Sequence, residues 1–284
     1  MSTLRTTLRR SFMGLQTISG LRKRGYYIPY RYADGLPGPG ARPASASLER
    51  ILADHAAVFE ATLARLEDFA ANLEAIGADD PAPGPRWNQD WFPRLDAAVA
   101  YAMVRAAEPA RIVEIGSGHS TRFMARAIAD GGLITKLTAI DPAPRATIDA
   151  LPITFERCTV HQADPGLITT LGAGDILFID SSHIAMPGTD VDLLLNHLLP
   201  LLPQGVLVHI HDMFLPDDYP SSWDWRGYNE QLVVAPLLTS GAWQPLFASR
   251  YIVTRHADRL NSGVLSRLPL PDGAFETSLW LSRR

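Results

Sequence analysis

Short apolar runs alternate with segments of helical periodicity from residue 86 onward, and this alternation constrains the fold more than any other feature of the sequence. The strands predicted from this alternation are Arg111–Ile115, Leu133–Ile140, Phe155–His161, Asp175–Ile179, Gly205–Ile210 and Thr277–Ser282. Continuous apolar runs are typical of strands that are buried on both faces. Strands that alternate with helices predict a mostly parallel sheet covered on both sides, so we expect a doubly wound α/β fold.

The chain before residue 86 has a different composition. Residues 1–32 are basic and end in an aromatic cluster, and residues 33–47 are rich in Gly, Pro, Ala and Ser. Apolar residues at helical spacing between Leu48 and Ile76 predict one long helix or two. We therefore predict an N-terminal helical extension over 1–85 and a sheet domain over 86–284.

The composition excludes several classes of protein. A net charge of −4 supplies no basic field for nucleic acid. Cys158 is the single cysteine, which excludes an intrachain disulfide and a zinc site built from cysteines. No stretch approaches the roughly 18 apolar residues of a transmembrane segment. We expect a cytoplasmic protein that binds a small molecule and that could form a homo-oligomer through its N-terminal extension.

The first predicted strand leads into a turn that contains Gly116, Ser117 and Gly118. Glycine permits positive φ and lets a ligand approach the backbone closely, and Ser120 or Thr121 can cap the helix that follows. In a doubly wound sheet, ligands bind beyond the carboxyl ends of the strands. The two glycines alone would also fit a tight turn that binds nothing.

Acidic residues at the ends of three successive predicted strands favour a nucleotide site. Asp141 is placed to accept hydrogen bonds from the hydroxyls of a ribose, and Asp164 from an adenine amino group. An NAD site would need a third glycine or alanine where this chain has Thr121, whereas Glu114 suits the cationic amino group of a methionine moiety. The pattern therefore favours S-adenosylmethionine (SAM) over NAD. The residues predicted to hold it are Glu114, Gly116, Ser117, Gly118, Ser120, Thr121, Asp141 and Asp164.

Several stretches resemble the motifs of class I SAM-dependent methyltransferases, and in particular the group called methyltransferase family 24. The stretches are Glu114-x-Gly116-x-Gly118-x-Ser120-Thr121, Ile140-Asp141, Ala163-Asp164, and the segments at 178–183, 209–214 and 228–231. The resemblance covers roughly residues 86–284, and residues 28–32 are also similar to that group. It implies a seven-stranded Rossmann-like sheet and SAM as the cofactor. It leaves the acceptor open, because the group modifies varied sugars and natural products.

The next two predicted strand ends carry acids and imidazoles that could perform the chemistry. Asp180 and His183 follow one strand, and His211 and Asp212 follow the other. In one interpretation, a histidine takes the proton of an acceptor hydroxyl. In the other, Asp180, His211 and Asp212 hold a divalent metal, with Mg²⁺ or Mn²⁺ favoured by carboxylates and iron by added imidazole. Asp180 or His183 could instead only stabilise a turn, and His209 is expected in the core.

The segment over residues 214–228 is rich in aromatic and charged residues, and it follows the strand that carries Asp212. Loops after strand ends concentrate binding residues, so the predicted acceptor residues are Tyr219, Tyr228 and Asn229, with Tyr30 and Arg31 closing the pocket. We predict an O-methyltransferase for a small polar acceptor, a sugar or a secondary metabolite. The alternatives are a metal-dependent enzyme with other chemistry and a non-catalytic binding subunit.

Overall fold

A seven-stranded sheet is the central feature of the computed structural model, which describes residues 3–38 and 40–284. The strands are β1 (Arg111–Ile115), β2 (Lys136–Ile140), β3 (Thr154–Glu156), β4 (Ile176–Ile179), β5 (Leu207–Ile210), β6 (Trp243–Ala248) and β7 (Leu279–Arg283). Their order is β3-β2-β1-β4-β5-β7-β6. The first five are parallel, and β7 runs antiparallel to both β5 and β6. This confirms the predicted Rossmann-like sheet.

The register of the strands places their carboxyl ends at one level. Ile115 at the end of β1 is opposite both Ile140 and Ile179, and Ile179 is opposite Ile210. Because β7 is antiparallel, its first residue, Leu279, also lies beside Ile210. The residues that follow β1, β2, β4 and β5 and those that precede β7 therefore meet at a single edge of the sheet.

Helices lie between the strands, as the alternation predicted. Those outside the first forty residues are α2 (Ala46–Asp54), α3 (Ala56–Arg65), α4 (Ala70–Glu74), α5 (Arg94–Ala107), α6 (His119–Gly131), α7 (Gly166–Thr169), α8 (Asp190–Asp192), α9 (Gln231–Thr239) and α10 (Ser249–Arg255). The periodic stretch predicted as one or two helices is divided between α2, α3 and α4, with breaks at His55 and at a 3₁₀ turn over Leu66–Phe69. The helix predicted over Val191–Leu199 is short, because α8 continues into a π-helical turn over Leu193–Leu198.

The strand β6 has no counterpart among the apolar runs identified in the sequence. It contains Pro245, which cannot donate a hydrogen bond to a neighbouring strand, and its pairing with β7 shifts between Pro245 and Phe247. Proline is tolerated at the edge of a sheet, and β6 is the last strand in the order. The proline interrupts the sequence pattern but not the strand.

The chain divides into two compact units, Met1–Gly38 and Pro39–Arg284. This division differs from the predicted boundary after residue 85, because α2, α3 and α4 belong to the second unit. The first unit contains α1 (Thr3–Ile18), in which Leu8, Phe12 and Leu15 recur at helical spacing, and a 3₁₀ turn over Ala33–Gly35. Among the helices described, none has the length and apolarity required to cross a bilayer.

Candidate active site

Gly116 connects β1 to the glycine turn and has a φ of +79°. A Cβ atom at this position would overlap the carbonyl oxygen of Asp180, the residue that follows β4. The N–H of Gly116 donates to the carbonyl of Ile140 at 3.0 Å. Only glycine combines this conformation with so close an approach, so the turn is held against the ends of β2 and β4.

Glu114 lies behind the turn and is fully buried. Its two carboxyl oxygens accept hydrogen bonds from the hydroxyls of Ser120 at 2.5 Å and Thr121 at 2.6 Å. Burial raises the pKa of Glu114 to about 8. The carboxyl group thus connects β1 to the first turn of α6. Glu114 is not among the described residues that line the cavity at the carboxyl edge of the sheet, which is described in the following paragraphs. In place of the predicted direct contact with the cofactor, the structure gives Glu114 a supporting position.

Asp141 follows β2 and faces the glycine turn. Its Oδ2 accepts hydrogen bonds from the N–H and the hydroxyl of Ser117 at 2.8 and 2.9 Å. Asp164, predicted to meet an adenine, instead accepts from the N–H of Gly166 at 2.9 Å, at the start of α7. After β3 the cavity is lined by residues 159–161. Asp164 is exposed and is not among the described residues that line the cavity.

A cavity of about 550 Å³ opens at the carboxyl edge of the sheet. Its lining includes Gly116, Ser117 and Asp141 from the ends of β1 and β2, Asp180 and His183 after β4, His211 and Asp212 after β5, and Trp223, Tyr228 and Phe275 from later loops. The fold therefore brings three of the eight predicted cofactor residues and all four predicted chemical residues into one space. This convergence follows from the shared level of the strand ends.

His183 lies among three carboxylates. Its Nε2 is 3.2 Å from Oδ1 of Asp180 and 3.4 Å from Oδ2 of Asp212. Its Nδ1 is 2.8 Å from Oε2 of Glu230, which is 0 % exposed and also accepts from the Ser181 hydroxyl at 3.1 Å. The sequence predicted the first three residues but gave Glu230 no role. The one available signal was its place in the segment 228–231.

His211 has a second buried acid beside it. Its Nδ1 is 3.6 Å from Oδ1 of both Asp180 and Asp212, and its Nε2 is 3.6 Å from Oδ2 of Asp96. Asp96, on α5, accepts hydrogen bonds from the N–H groups of Thr277 and Ser278 at 2.8 and 2.9 Å. The sequence gave no role to Asp96. An acid within the apolar stretch of a predicted helix is nevertheless a signal of a buried, paired charge.

Two of these residues have backbone conformations that non-glycine residues rarely adopt. His183 has a φ of +60° and Asp212 a φ of +55°. The left-handed region costs an L-residue roughly 1–2 kcal/mol. Such positions persist where the surrounding contacts hold them, and they concentrate at functional sites. The hydrogen bond from the Asn229 N–H to the His183 carbonyl, at 3.0 Å, is one such contact.

The acids of the cluster stabilise positive charge on the imidazoles of His183 and His211. Burial disfavours the charged imidazole of His183, but hydrogen bonds to Asp180 and Glu230 hold its pKa well above the ordinary value. Burial likewise opposes the charge on His211, and Asp212, Asp180 and Asp96 raise its pKa in the same way. Burial favours neutral Asp180, yet the two imidazoles lower the pKa of this carboxyl. Four acids surround two imidazoles, so the site accommodates cations.

Asp180, His183 and Asp212 also fit a divalent metal. One ligand atom from each lies within 4.8 Å of the others. Octahedral coordination at 2.0–2.1 Å separates neighbouring ligand atoms by about 3 Å, which is close to the spacing around the Nε2 atom of His183. A carboxylate that orients the other ring nitrogen, as Glu230 does, is usual for histidine ligands. The sequence predicted Asp180, His211 and Asp212 as the metal ligands, whereas the structure groups His183 with the two acids.

His209 lies in the core, as predicted. Its ring stacks on Phe178 with centroids 3.7 Å apart, and its Nε2 is 2.8 Å from the hydroxyl of Ser278. Burial keeps its pKa well below the ordinary value. The pKa values of His183 and His211 are thus raised by the carboxylates beside them, whereas that of His209, which contacts a hydroxyl and a phenyl ring, is lowered.

The predicted acceptor residues are distributed between two cavities. Tyr228 lines the first, and its ring lies against His183 with centroids 4.4 Å apart. Tyr219 and Asn229 line a second cavity of about 420 Å³, which Tyr228 also borders. Asn229 accepts from the Ala185 N–H at 2.7 Å. Tyr30 and Arg31 belong to the first compact unit, and their part in acceptor binding stays a prediction.

The parallel sheet with an antiparallel seventh strand and the glycine turn beside Asp141 are the features of a class I SAM-dependent methyltransferase. The model of the family described as "Methyltransferase domain", methyltransferase family 24, matches residues 113–213. The matched range begins in β1 and ends just after Asp212. It contains all of the predicted cofactor residues and the four predicted chemical residues.

The chain is also similar to solved structures of methyltransferases. It is 15% identical to the Podospora anserina methyltransferase PaMTH1 bound to SAH, with a TM-score of 0.44 over 92% of this chain and 99% of that one. It is 12% identical to an O-methyltransferase from Bacillus cereus in complex with SAH (TM-score 0.41, 79% and 91% covered). It is 15% identical to a Mg- and SAM-bound form of cmcI (TM-score 0.40, 92% and 98% covered). No curated protein matches the chain.

Proposed function

We propose that this methyltransferase transfers the methyl group of SAM to an oxygen atom of a small polar acceptor, a sugar or a secondary metabolite. The observation that carries the proposal is the position of His183 between Asp180 and Asp212, in the same cavity as Gly116 and Asp141. Methyl transfer to a hydroxyl requires a group that deals with the acceptor proton at the point where the cofactor ends. We assign this task to the cluster of Asp180, His183 and Asp212.

The cofactor is assigned to the side of the cavity formed by β1, β2 and β3. Gly116 lets the backbone approach it, and Asp141, positioned by Ser117, faces the ribose. Gly118 precedes the helix α6, and Ser120 lies in its first turn. Glu114 and Thr121 act through the turn that they stabilise rather than by contact. Asp164 stabilises the start of α7 by accepting a hydrogen bond from the Gly166 N–H.

The chemical step is assigned to the side formed by β4 and β5. Bound SAM supplies an electrophilic methyl group on a sulfonium. Glu230 holds the ring of His183 so that its Nε2 faces the two carboxylates. Asp180 is the more exposed of these, with 40% of its side chain accessible against 12% for Asp212. Asp180 is therefore the acid of the cluster best placed to meet an incoming hydroxyl.

A divalent metal, Mg²⁺, Mn²⁺ or Fe²⁺, would be held by Asp180, His183 and Asp212. When bound, such an ion lowers the pKa of an oxygen that coordinates it. His183 would then bind as the neutral imidazole, so the proton that the carboxylates now stabilise would be released on metal binding. His211, held by Asp96, would remain as a cation beside Asp180 and Asp212. In the alternative without metal, His183 or His211 would serve as the general base in its neutral form, and the raised pKa values of both imidazoles would shift this activity to high pH.

Calorimetry with SAM and with SAH tests the proposal. We expect both to bind the purified chain, and Asp180→Ala and Asp212→Ala to retain this binding while losing methyl transfer. Asp149→Ala, which removes an acid with 72% of its side chain exposed, is the control. Absence of SAM binding would refute the methyltransferase assignment. SAM binding without transfer to any sugar or phenolic hydroxyl would instead favour a metal-dependent enzyme of another type or a binding subunit.

The role of the metal is tested separately. We expect chelator-treated protein to bind SAH normally and to lose transfer, and Mg²⁺, Mn²⁺ or Fe²⁺ to restore it. Full activity of protein shown to be metal-free by elemental analysis would remove the ion from the mechanism. It would leave the proton of the acceptor to the histidines and Asp180.

A further inference from the structure

Arg226 lines the cavity of about 550 Å³ described above. No acid in the part of the chain that the structure describes forms an ion pair with its guanidinium. Its NH1 donates to the hydroxyl of Tyr228 at 3.0 Å, while its Nε is buried without a hydrogen-bond partner. Guanidinium has five N–H donors, and a buried donor left unpaired is costly. The remaining N–H donors on the two Nη atoms are therefore available to a ligand in the cavity that Arg226 lines.

Aromatic rings fix the plane of this guanidinium. The Arg226 Cζ atom lies 4.1 Å from the ring centroid of Trp223, 5.2 Å from that of Trp225 and 5.3 Å from that of Tyr228. A guanidinium stacked in this way loses little further freedom when it forms two parallel hydrogen bonds. Arginine held in a plane is suited to carboxylates and phosphates, which accept hydrogen bonds in pairs.

Arg226 is also close to the groups that act on the acceptor. The Tyr228 ring lies between the two, because it contacts the His183 ring at 4.4 Å and accepts the hydrogen bond from Arg226. The other arginine that lines the cavity, Arg145, stacks on Trp91 at 4.6 Å and follows β2, on the side assigned to the cofactor. Of the two arginines that line the cavity among the described residues, Arg226 is thus the one on the acceptor side.

We propose that the acceptor carries an anionic group, a carboxylate or a phosphate, and that Arg226 binds this group and determines specificity. The proposal rests on the assignment of this cavity to methyl transfer. The acids of the cluster would otherwise repel such a ligand, and the guanidinium of Arg226, which forms no ion pair with a described acid, offsets this repulsion. Trp223, Tyr228 and Phe275 provide flat faces on the same side for the ring that carries the anionic group.

The test compares three ring compounds that differ in charge. They are 4-hydroxybenzoate, 4-hydroxyphenyl phosphate and the neutral 4-hydroxybenzyl alcohol. Their affinities are measured by calorimetry, with and without SAH, for the wild-type chain and for Arg226→Met, Arg226→Lys and Arg157→Met. Arg157 is the control because it is exposed, stacks on Phe155 and does not line the cavity.

We expect one of the two anions to bind the wild-type chain at least about tenfold more tightly than the alcohol, and the tighter one identifies the anionic group. Arg226→Met should abolish this preference and leave the affinity for the alcohol unchanged. Arg226→Lys should restore part of it, and Arg157→Met should preserve it. Equal affinities in the wild type, no anion binding at millimolar concentration, or equal weakening of all three compounds by Arg226→Met would overturn the proposal. A separate SAH titration distinguishes this result from failure of the methyltransferase assignment, since anion preference is measured without SAH as well.

Discussion

The Nδ1 atom of His183 lies 2.8 Å from Oε2 of Glu230, although 47 positions separate the two residues in the chain. Glu230 is fully buried and precedes α9, while His183 follows β4 in a left-handed backbone conformation. The carboxylate fixes the orientation of the ring and leaves Nε2 to face Asp180 and Asp212. The arrangement turns a histidine on a loop into a fixed part of the cavity wall.

Removing the charge of Glu230 should weaken metal binding without affecting the cofactor. Glu230→Gln preserves the shape of the side chain but no longer stabilises the polarised ring of His183. Substitution of such a supporting residue typically costs roughly 10–100-fold in metal affinity or activity, and we expect a loss of this size in Mn²⁺ affinity by electron paramagnetic resonance. SAH affinity should be unchanged, and Glu60→Gln, on α3, should alter neither. Unchanged Mn²⁺ affinity in Glu230→Gln would contradict the orienting role.

Mn²⁺ should stabilise the folded protein through Asp212. A ligand at one hundred times its dissociation constant raises the free energy of unfolding by about 2.7 kcal/mol. We expect Mn²⁺ to raise the Tm of the wild-type chain by several degrees and to leave the Tm of Asp212→Asn unchanged. The two proteins are compared by calorimetric scans after chelator treatment. An equal rise in both would place the binding site elsewhere.

The position of Gly116 against Asp180 should make its substitution more damaging than its φ angle alone requires. Gly116→Ala adds a Cβ that overlaps the Asp180 carbonyl oxygen, so we expect a loss of at least about 3 kcal/mol in the free energy of unfolding and weaker SAH binding. Gly174→Ala is a matched control, because its φ is +84° and no atom lies within 4 Å of the added Cβ. It should lose roughly 1–2 kcal/mol. Equal losses in urea titrations would show that the close approach is unimportant.

Glu114 should make the protein less stable as the pH rises. Its pKa is raised to about 8 in the folded state from an ordinary value of 4.5. Between pH 4.5 and about pH 8 the carboxyl group is therefore protonated in the folded protein and ionised in the unfolded chain. The stabilising contribution of the protonated carboxyl is complete below pH 4.5 and is lost as the pH rises towards about 8. Glu114→Gln mimics the protonated form, and we expect it to remove this pH dependence from the free energy of unfolding. Glu108→Gln, at an exposed position, should retain it. A parallel decline in wild type and Glu114→Gln would contradict this account.

The sheet could be predicted because its strands carry their signal locally. Ile176–Ile179 is entirely apolar and Arg111–Ile115 carries Ile, Val and Ile, and burial on both faces of a parallel strand favours such composition. The strand β6 lacked this signal, because Pro245 interrupts it and an edge strand has no need for a continuous apolar sequence. The π-helical turn at Leu193–Leu198 was also not predictable, since its apolar spacing matches that of an ordinary helix.

The sequence by itself determined that Gly116, Asp141, Asp180 and Asp212 stand at successive strand ends, and parallel pairing then placed them at one edge. Only the tertiary structure decided which atoms meet there. It turned Glu114 inward to Ser120 and Thr121, gave residues 159–161 the place expected for Asp164, and brought Asp96 and Glu230 to the histidines from two distant helical segments. Local sequence specifies the order and burial of strands through their apolar periodicity. Contacts between distant side chains depend on the register and direction of whole elements, and no local pattern contains that information.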